Sequence, residues 1–287
     1  MAAKKPFRPK LTNASRPATF EVEAYNERGE MVPTSIAGEH PLTLYLDKRE
    51  IVTLMTLGHA PEALALGYLR NQRLVKSIRE IAAVQVDWET DSVVVTTRGK
   101  PKVDIKAKMK KRTVTTGCGQ GTVFGGLMDE IDKVKLDDKA VLTDAQIVDL
   151  VEKVRKHETI YKQAGAVHGC ALARTDGPAS AEIMMFVEDV GRHNAVDAIA
   201  GFMWLEGISG ADKIFYTTGR LTSEMVIKCA QMGIPFLVSR SGLTKMGHDI
   251  AKLTGITMIG RASGRHYLLF TGAQRILRTA PRPTALA

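Results

Sequence analysis

The sequence predicts an α/β protein in two parts, a smaller β-rich N-terminal domain followed by an α/β C-terminal domain. Three observations predict it. From about Phe20 to Val134 the strand signals are short and interrupted by one helix. Near Lys139 a helix opens on a capping box. Beyond it, strands and helices alternate, the pattern of a largely parallel sheet. The expected boundaries are a flexible basic tail over 1–17, the β-rich domain over 18–138 and the α/β domain over 139–287.

In chain order, residues 1–17 carry Lys4, Lys5, Arg8, Lys10 and Arg16 with three prolines, a composition that favours a loose tail. Strands are predicted at "FEVEAY", "LTLYL", "VQVDW", "SVVVTT" and "VDIKAKM". The helix among them starts near Pro61, where proline's missing N–H costs nothing. "TDAQIVDLVEKVRKHETIYKQ" pairs Thr143 with Gln146, then places Ile147, Leu150, Val151 and Val154 at helical spacing. Strand–helix pairs follow: "EIMMFVED" with "HNAVDAIAGFMWL", "KIFYTTG" with "TSEMVIKCAQM", and "IPFLVSRS" with "LTKMGHDIAKLT". "ITMIGRASGRHYLLFTG" closes the series.

Composition narrows the function. With 44% hydrophobic and 25% charged residues the chain has a globular make-up, and no apolar run is long enough for a membrane helix. Three scattered cysteines, Cys118, Cys170 and Cys229, favour reduced thiols in a cytoplasmic protein over a disulfide framework. The net charge of +9 favours an anionic partner. Nucleic acid is not the expected one, since aromatic residues make up 6% and do not interleave with the basic strand. The absence of HExxH and CxxC, and of the deaminase HxE and PCxxC pair, leaves no metal ligands to assign.

Chemistry is expected at three places. Cys118 sits in "TTGCGQG", after a strand whose Asp104, Lys106, Lys108, Lys110 and Arg112 share one face. Basic neighbours favour a nucleophilic thiolate, although a small residue in a tight turn reads the same way. "YTTGRLTSE", "VSRSGLT" and "GRASGRH" each end a strand with small polar residues and arginine. Ligands of open α/β sheets bind at such ends, so Arg220, Arg240, Arg261 and Arg265 can converge on phosphates. "EDVGRHNAVD" packs Glu188, Asp189, Arg192, His193, Asn194 and Asp197 at a strand-to-helix turn, as a proton-moving site around His193 or as mutually satisfied caps. "AVHGCALA" sets His168 near Cys170, a pairing that can make a nucleophile, but the apolar run favours core, as does the helix around Cys229.

The glycine-rich "CG" loop, "AVHGCALA", "EDVGRHNAVDAIAG", "TTGRLTSEMVIKCAQMGIPFLVSRSGLT" and "IGRASGRHYLLFTG" occur in one order that resembles the FdhD family of sulfur-carrier proteins needed for formate dehydrogenase activity. The resemblance runs from about residue 20 to about residue 275. It implies a C-terminal domain that is cytidine-deaminase-like without the zinc site, in a homodimer. It implies that Cys118 accepts persulfide sulfur from a cysteine desulfurase and acts as a sulfurtransferase. The acceptor would be the molybdenum or tungsten of a bis-molybdopterin guanine dinucleotide cofactor, destined for the formate dehydrogenase catalytic subunit, with a guanine nucleotide as its mimic. Arg261, Ala262, Ser263, Gly264, Arg265 and His266 match the family's cofactor-binding stretch, and the strand-end pattern adds Arg220 and Arg240. One departure stands out: the family's loop usually carries a CxxC pair, and here Gly121 takes the second place. Either Cys118 suffices as a single carrier, which the intact loop and ligand motifs favour, or this member only holds the cofactor or a guanine nucleotide.

Overall fold

A computed structural model of the chain describes residues 6–99, 131, 134, 136 and 139–278. The protein is a mixed α/β molecule whose chain divides into two discontinuous compact units. The first comprises 1–131, 158–170 and 186–209, and the second 132–157, 171–185 and 210–287. This division differs from the one expected at 138/139. Segments 158–170 and 186–209, assigned from sequence to the C-terminal domain, cluster with the N-terminal residues.

The first unit is built on a five-stranded sheet in the order β1-β6-β7-β4-β5, made from Lys10–Leu11, Ile81–Asp87, Ser92–Thr97, His40–Leu46 and Arg49–Thr56. Strand β4 shows why it folds so: Leu42, Leu44 and Leu46 alternate inward and are at most 1% exposed. Each such side chain contributes about 1.5–3 kcal/mol of burial. Helix α1 (Pro61–Asn71) packs on β6 and β7 and also on a later helix, Arg192–Leu205, which buries it almost completely. A separate hairpin pairs β2 (Thr19–Tyr25) with β3 (Met31–Ala37). Strands β3 and β5 lie outside the sequence-predicted set. Pro33 within β3 argues against a central strand, and the two-stranded hairpin accommodates it at an edge.

The expected tail is corrected over its described part. Residues 6–17 are attached: β1 pairs in parallel with β6, Arg8 pairs with Glu206, and the Ala14 N–H donates to Glu62 at 2.8 Å. Arg16 lies over the Trp88 ring at 4.8 Å and donates to the Trp88 carbonyl at 2.9 Å. Cationic side chains with several partners keep a basic segment on the surface of the fold, which composition alone does not reveal.

A six-stranded sheet has the order β10-β9-β11-β12-β13-β14, with β9 His168–Asp176, β10 Ser180–Asp189, β11 Lys213–Thr217, β12 Phe236–Ser239, β13 Thr257–Ser263 and β14 His266–Leu269. It belongs to the second unit except for residues 168–170 of β9 and 186–189 of β10, which cluster with the first. Strands β11, β12 and β13 run parallel, and β14 returns antiparallel. β11 and β12 are buried along their whole length, as strands covered on both faces are. The capping box forms as the sequence predicts and opens α2 (Asp144–His157). The Thr143 N–H donates to Gln146 Oε1 at 2.8 Å, and the Gln146 N–H to Thr143 Oγ1 at 3.1 Å. Short strands β8 (Leu142–Thr143) and β15 (Ile276–Leu277) pair beside it.

Helix α2 ends at His157, inside the stretch "TDAQIVDLVEKVRKHETIYKQ". A new one, α3 (Ile160–Ala164), begins where the Glu188 carboxylate accepts the N–H groups of Thr159, Ile160 and Tyr161 at 2.9–3.0 Å. Helices α4 (Arg192–Leu205), α5 (Ser223–Gln231) and α6 (Lys245–Thr254) follow along the chain. None of these helices is long and apolar enough to cross a membrane.

Candidate functional site

The parallel register of β11, β12 and β13 carries three loops to one edge of the second unit's sheet. Small polar residues then join them. Ser239 Oγ donates to the Gly219 carbonyl at 2.7 Å and accepts the Ser241 N–H at 2.9 Å. The Leu221 N–H donates to the Gly242 carbonyl at 3.0 Å, and the Arg261 N–H to the Ser241 carbonyl at 2.9 Å. Each loop's arginine therefore stands beside a bonded neighbour in one continuous rim: Arg220 and Arg261 exposed, Arg240 half-buried.

Two helices start on this rim. Thr244 caps α6 by accepting the Gly247 N–H at 3.2 Å, while Thr222, the N-cap of α5, makes no capping bond and its buried Oγ1 has no partner among the described residues. The N–H groups of a helix's first turn have no intrahelical acceptor, and they favour anions. Arg261 adds a backbone feature. Its φ of +53° is left-handed, at a bulge between Gly260 and Ser263. A non-glycine residue in that region costs about 1 kcal/mol or more, and such outliers concentrate at functional sites.

The hairpin turn beyond the rim exposes Ser263, Arg265 and His266, with Gly264 at a φ of +54°. Ala262 is 1% exposed, so only its backbone can face a ligand. Arg265 and His266 line a cavity of about 760 Å³ with Asp144, Glu152, Tyr267 and Arg278. Burial pushes the Tyr267 phenol up; Arg278 opposes this and Asp144 adds to it. Asp149, on the same wall, is held below the usual carboxylate range: burial would raise it, but bonds from Lys153, the Ala181 N–H and Ser180 outweigh burial. The cavity thus offers cations for phosphate and carboxylates for hydrogen-bond donors such as base N–H groups.

The "EDVGRHNAVD" turn lies in the first unit, where several of its residues bond one another and their surroundings. Asp189 accepts from Thr56 Oγ1 at 2.5 Å, the Leu57 N–H at 3.3 Å, the Gly191 N–H at 3.1 Å and Asn194 Nδ2 at 2.7 Å. Asn194 also donates to the Met55 carbonyl at 2.6 Å, and Asp197 accepts from Asn71 at 2.7 Å. His193 is buried. A cavity of about 650 Å³ near this turn is lined by Arg16, His59, Thr159, Phe186 and Glu188. No local motif announces it, because its wall comes from four separated chain segments.

Of the thiols, Cys170 in β9 and Cys229 in α5 are fully buried, as their apolar settings predicted. Cys118, Gly121 and the basic strand before them lie outside the described residues.

Comparison with known proteins places these features in a family. The family model described as the FdhD/NarQ family matches residues 37–277. A protein of Listeria monocytogenes named sulfur carrier protein FdhD is 31% identical over 259 residues, covering 90% of this chain and 95% of its own. Proteins of the same name from Bacillus subtilis and Sulfurisphaera tokodaii are 28% and 31% identical, over 87% and 88% of this chain and 94% and 95% of theirs. A crystal structure from Desulfotalea psychrophila, reported as a candidate formate dehydrogenase accessory protein, superposes with a TM-score of 0.72. It is 28% identical and covers 91% of this chain and 100% of its own.

Proposed function

The chain belongs to the FdhD/NarQ family, and on that premise we propose that it carries sulfur as a persulfide on Cys118 and delivers it to a bis-guanine-dinucleotide molybdenum or tungsten cofactor before that cofactor enters formate dehydrogenase. The observation that carries the cofactor half of this reading is the strand-end rim, where three arginine-bearing loops and two helix N-termini meet on one edge of a sheet. Arg220, Arg240 and Arg261 hold phosphates there, and Ser263, Gly264, Arg265 and His266 continue the surface into the mixed-charge cavity. Arginine–phosphate bonds are charge-assisted and oriented, which suits a cargo bearing several phosphates. We read the second unit's sheet as a cytidine-deaminase-like core without a zinc site, and the active form as a cytoplasmic homodimer.

In the transfer step, the Cys118 thiolate attacks the terminal sulfur of the desulfurase persulfide. The donor's S–S bond breaks, its cysteine leaves as a thiolate, and the Cys118 persulfide forms. The basic run from Lys106 to Arg112 in the sequence stabilises the attacking thiolate. Gly121 in the place of a second loop cysteine favours one further reading, a holder of the cofactor that no longer transfers sulfur. Formate dehydrogenase maturation separates the two. Cys118→Ala abolishes it if sulfur transfer is the function and leaves it unchanged in a holder, whereas Arg261→Gln impairs it in both.

A further inference from the structure

The turn that opens α4 has no part in the proposed transfer, and it buries an arginine without a counter-charge. Arg192 is the first residue of this 14-residue helix and is 6% exposed. Three carboxylates stand within five positions of it in sequence, and each is committed elsewhere. Glu188 accepts the N–H groups opening α3, Asp189 accepts from Thr56, Leu57, Gly191 and Asn194, and Asp197 accepts from Asn71. Among the described residues Arg192 has no hydrogen-bond or ion-pair partner, and its Nε is enclosed without one.

A buried, unpaired guanidinium is costly, because burial removes the water that would otherwise solvate its charge. The compensating group that such a site accepts is an anion. The helix supplies the rest of the site. Gly191 at the N-cap offers no side chain to the first-turn N–H groups, and the positive end of the helix dipole lies there. Helical Cα–Cβ bonds lean toward the N-terminus, so the Arg192 side chain leans toward that same end.

We propose that Arg192 and the first turn of α4 bind a small phosphate-like oxyanion, at a site in the first unit made of other residues than the strand-end rim. This inference does not depend on the sulfur-carrier reading.

The test is thermal melting of the full chain, freed of phosphate and sulfate, against increasing inorganic phosphate, for the wild type, Arg192→Met, Arg192→Lys and Arg261→Gln. Without anion, Arg192→Met melts no lower than the wild type, because it removes an uncompensated charge and keeps an apolar stem. Phosphate raises the wild-type melting temperature, Arg192→Met binds it about tenfold or more weakly, and Arg192→Lys falls between. Arg261→Gln keeps the Arg192-dependent phosphate response. A parallel GDP titration separates two sources of the anion. Weakening together with phosphate assigns a nucleotide phosphate, and unchanged GDP binding assigns a free oxyanion. Destabilisation of Arg192→Met without anion, the sign of a purely structural arginine, overturns the proposal. So does a phosphate response equal in wild type and Arg192→Met, absence in both included.

Discussion

At the scale of single residues, Asp189 ties β5, the α4 turn and its own strand together through four donors. All four present hydrogens to it, so Asp189→Asn sets an amide NH2 against a donor and should cost about 2–3 kcal/mol in denaturant unfolding. Burial pushes the Asp189 carboxyl up, against the lowering effect of its bonds from Thr56, Gly191, Asn194 and Leu57. The folded protein therefore keeps that proton to higher pH than the unfolded chain. From the unfolded value of 3.8 up to the folded one, stability falls as pH rises, and it is flat beyond. The advantage of wild type over Asp189→Asn should shrink across that window, which unfolding measured at a series of pH values checks. The sequence made the cluster around Asp189 visible, because its residues are consecutive. It gave no sign of Thr56, which lies 133 positions away and meets Asp189 only through tertiary packing.

At the scale of elements, the crossing of α1 and α4 rests on glycine. A Cβ at Gly67 would overlap the Asp197 carbonyl, and one at Gly201 would overlap the Ala63 carbonyl. In both cases the obstacle is backbone, which cannot rotate away. Gly67→Ala or Gly201→Ala should destabilise by about 3 kcal/mol or more, read as a lowered denaturation midpoint. Both glycines stand inside helical patterns, where glycine is otherwise unfavourable, and that signal was available in the sequence without naming the partner helix. Local chemistry was legible where it acts within a few residues, as with the Thr143–Gln146 box and Pro61 at a helix start. The attachment of residues 6–17 and the break after His157 depend on Trp88, Glu206 and Glu188, which the chain brings in from afar. On the rim, Arg261→Gly should relieve left-handed strain of about 1 kcal/mol while removing a guanidinium. Unfolding should show equal or greater stability, and GDP titration a weaker affinity.

At the scale of the whole molecule, the mixed α/β class and the family were legible together. The ordered motifs that resemble FdhD proteins fall within the region matched by the family model, except for the part of the resemblance upstream of residue 37. The discontinuous path through two units was not legible, since 158–170 and 186–209 look continuous with their sequence neighbours. The central claim is that one thiol, Cys118, carries the sulfur although Gly121 replaces a second loop cysteine. Its most direct test is mass spectrometry of the chain after incubation with a cysteine desulfurase and cysteine. The account predicts one additional sulfur atom, mapped to Cys118 and absent from Cys118→Ala. Sulfur mapped to Cys170 or Cys229 instead, or no added sulfur on the wild-type chain, would contradict it.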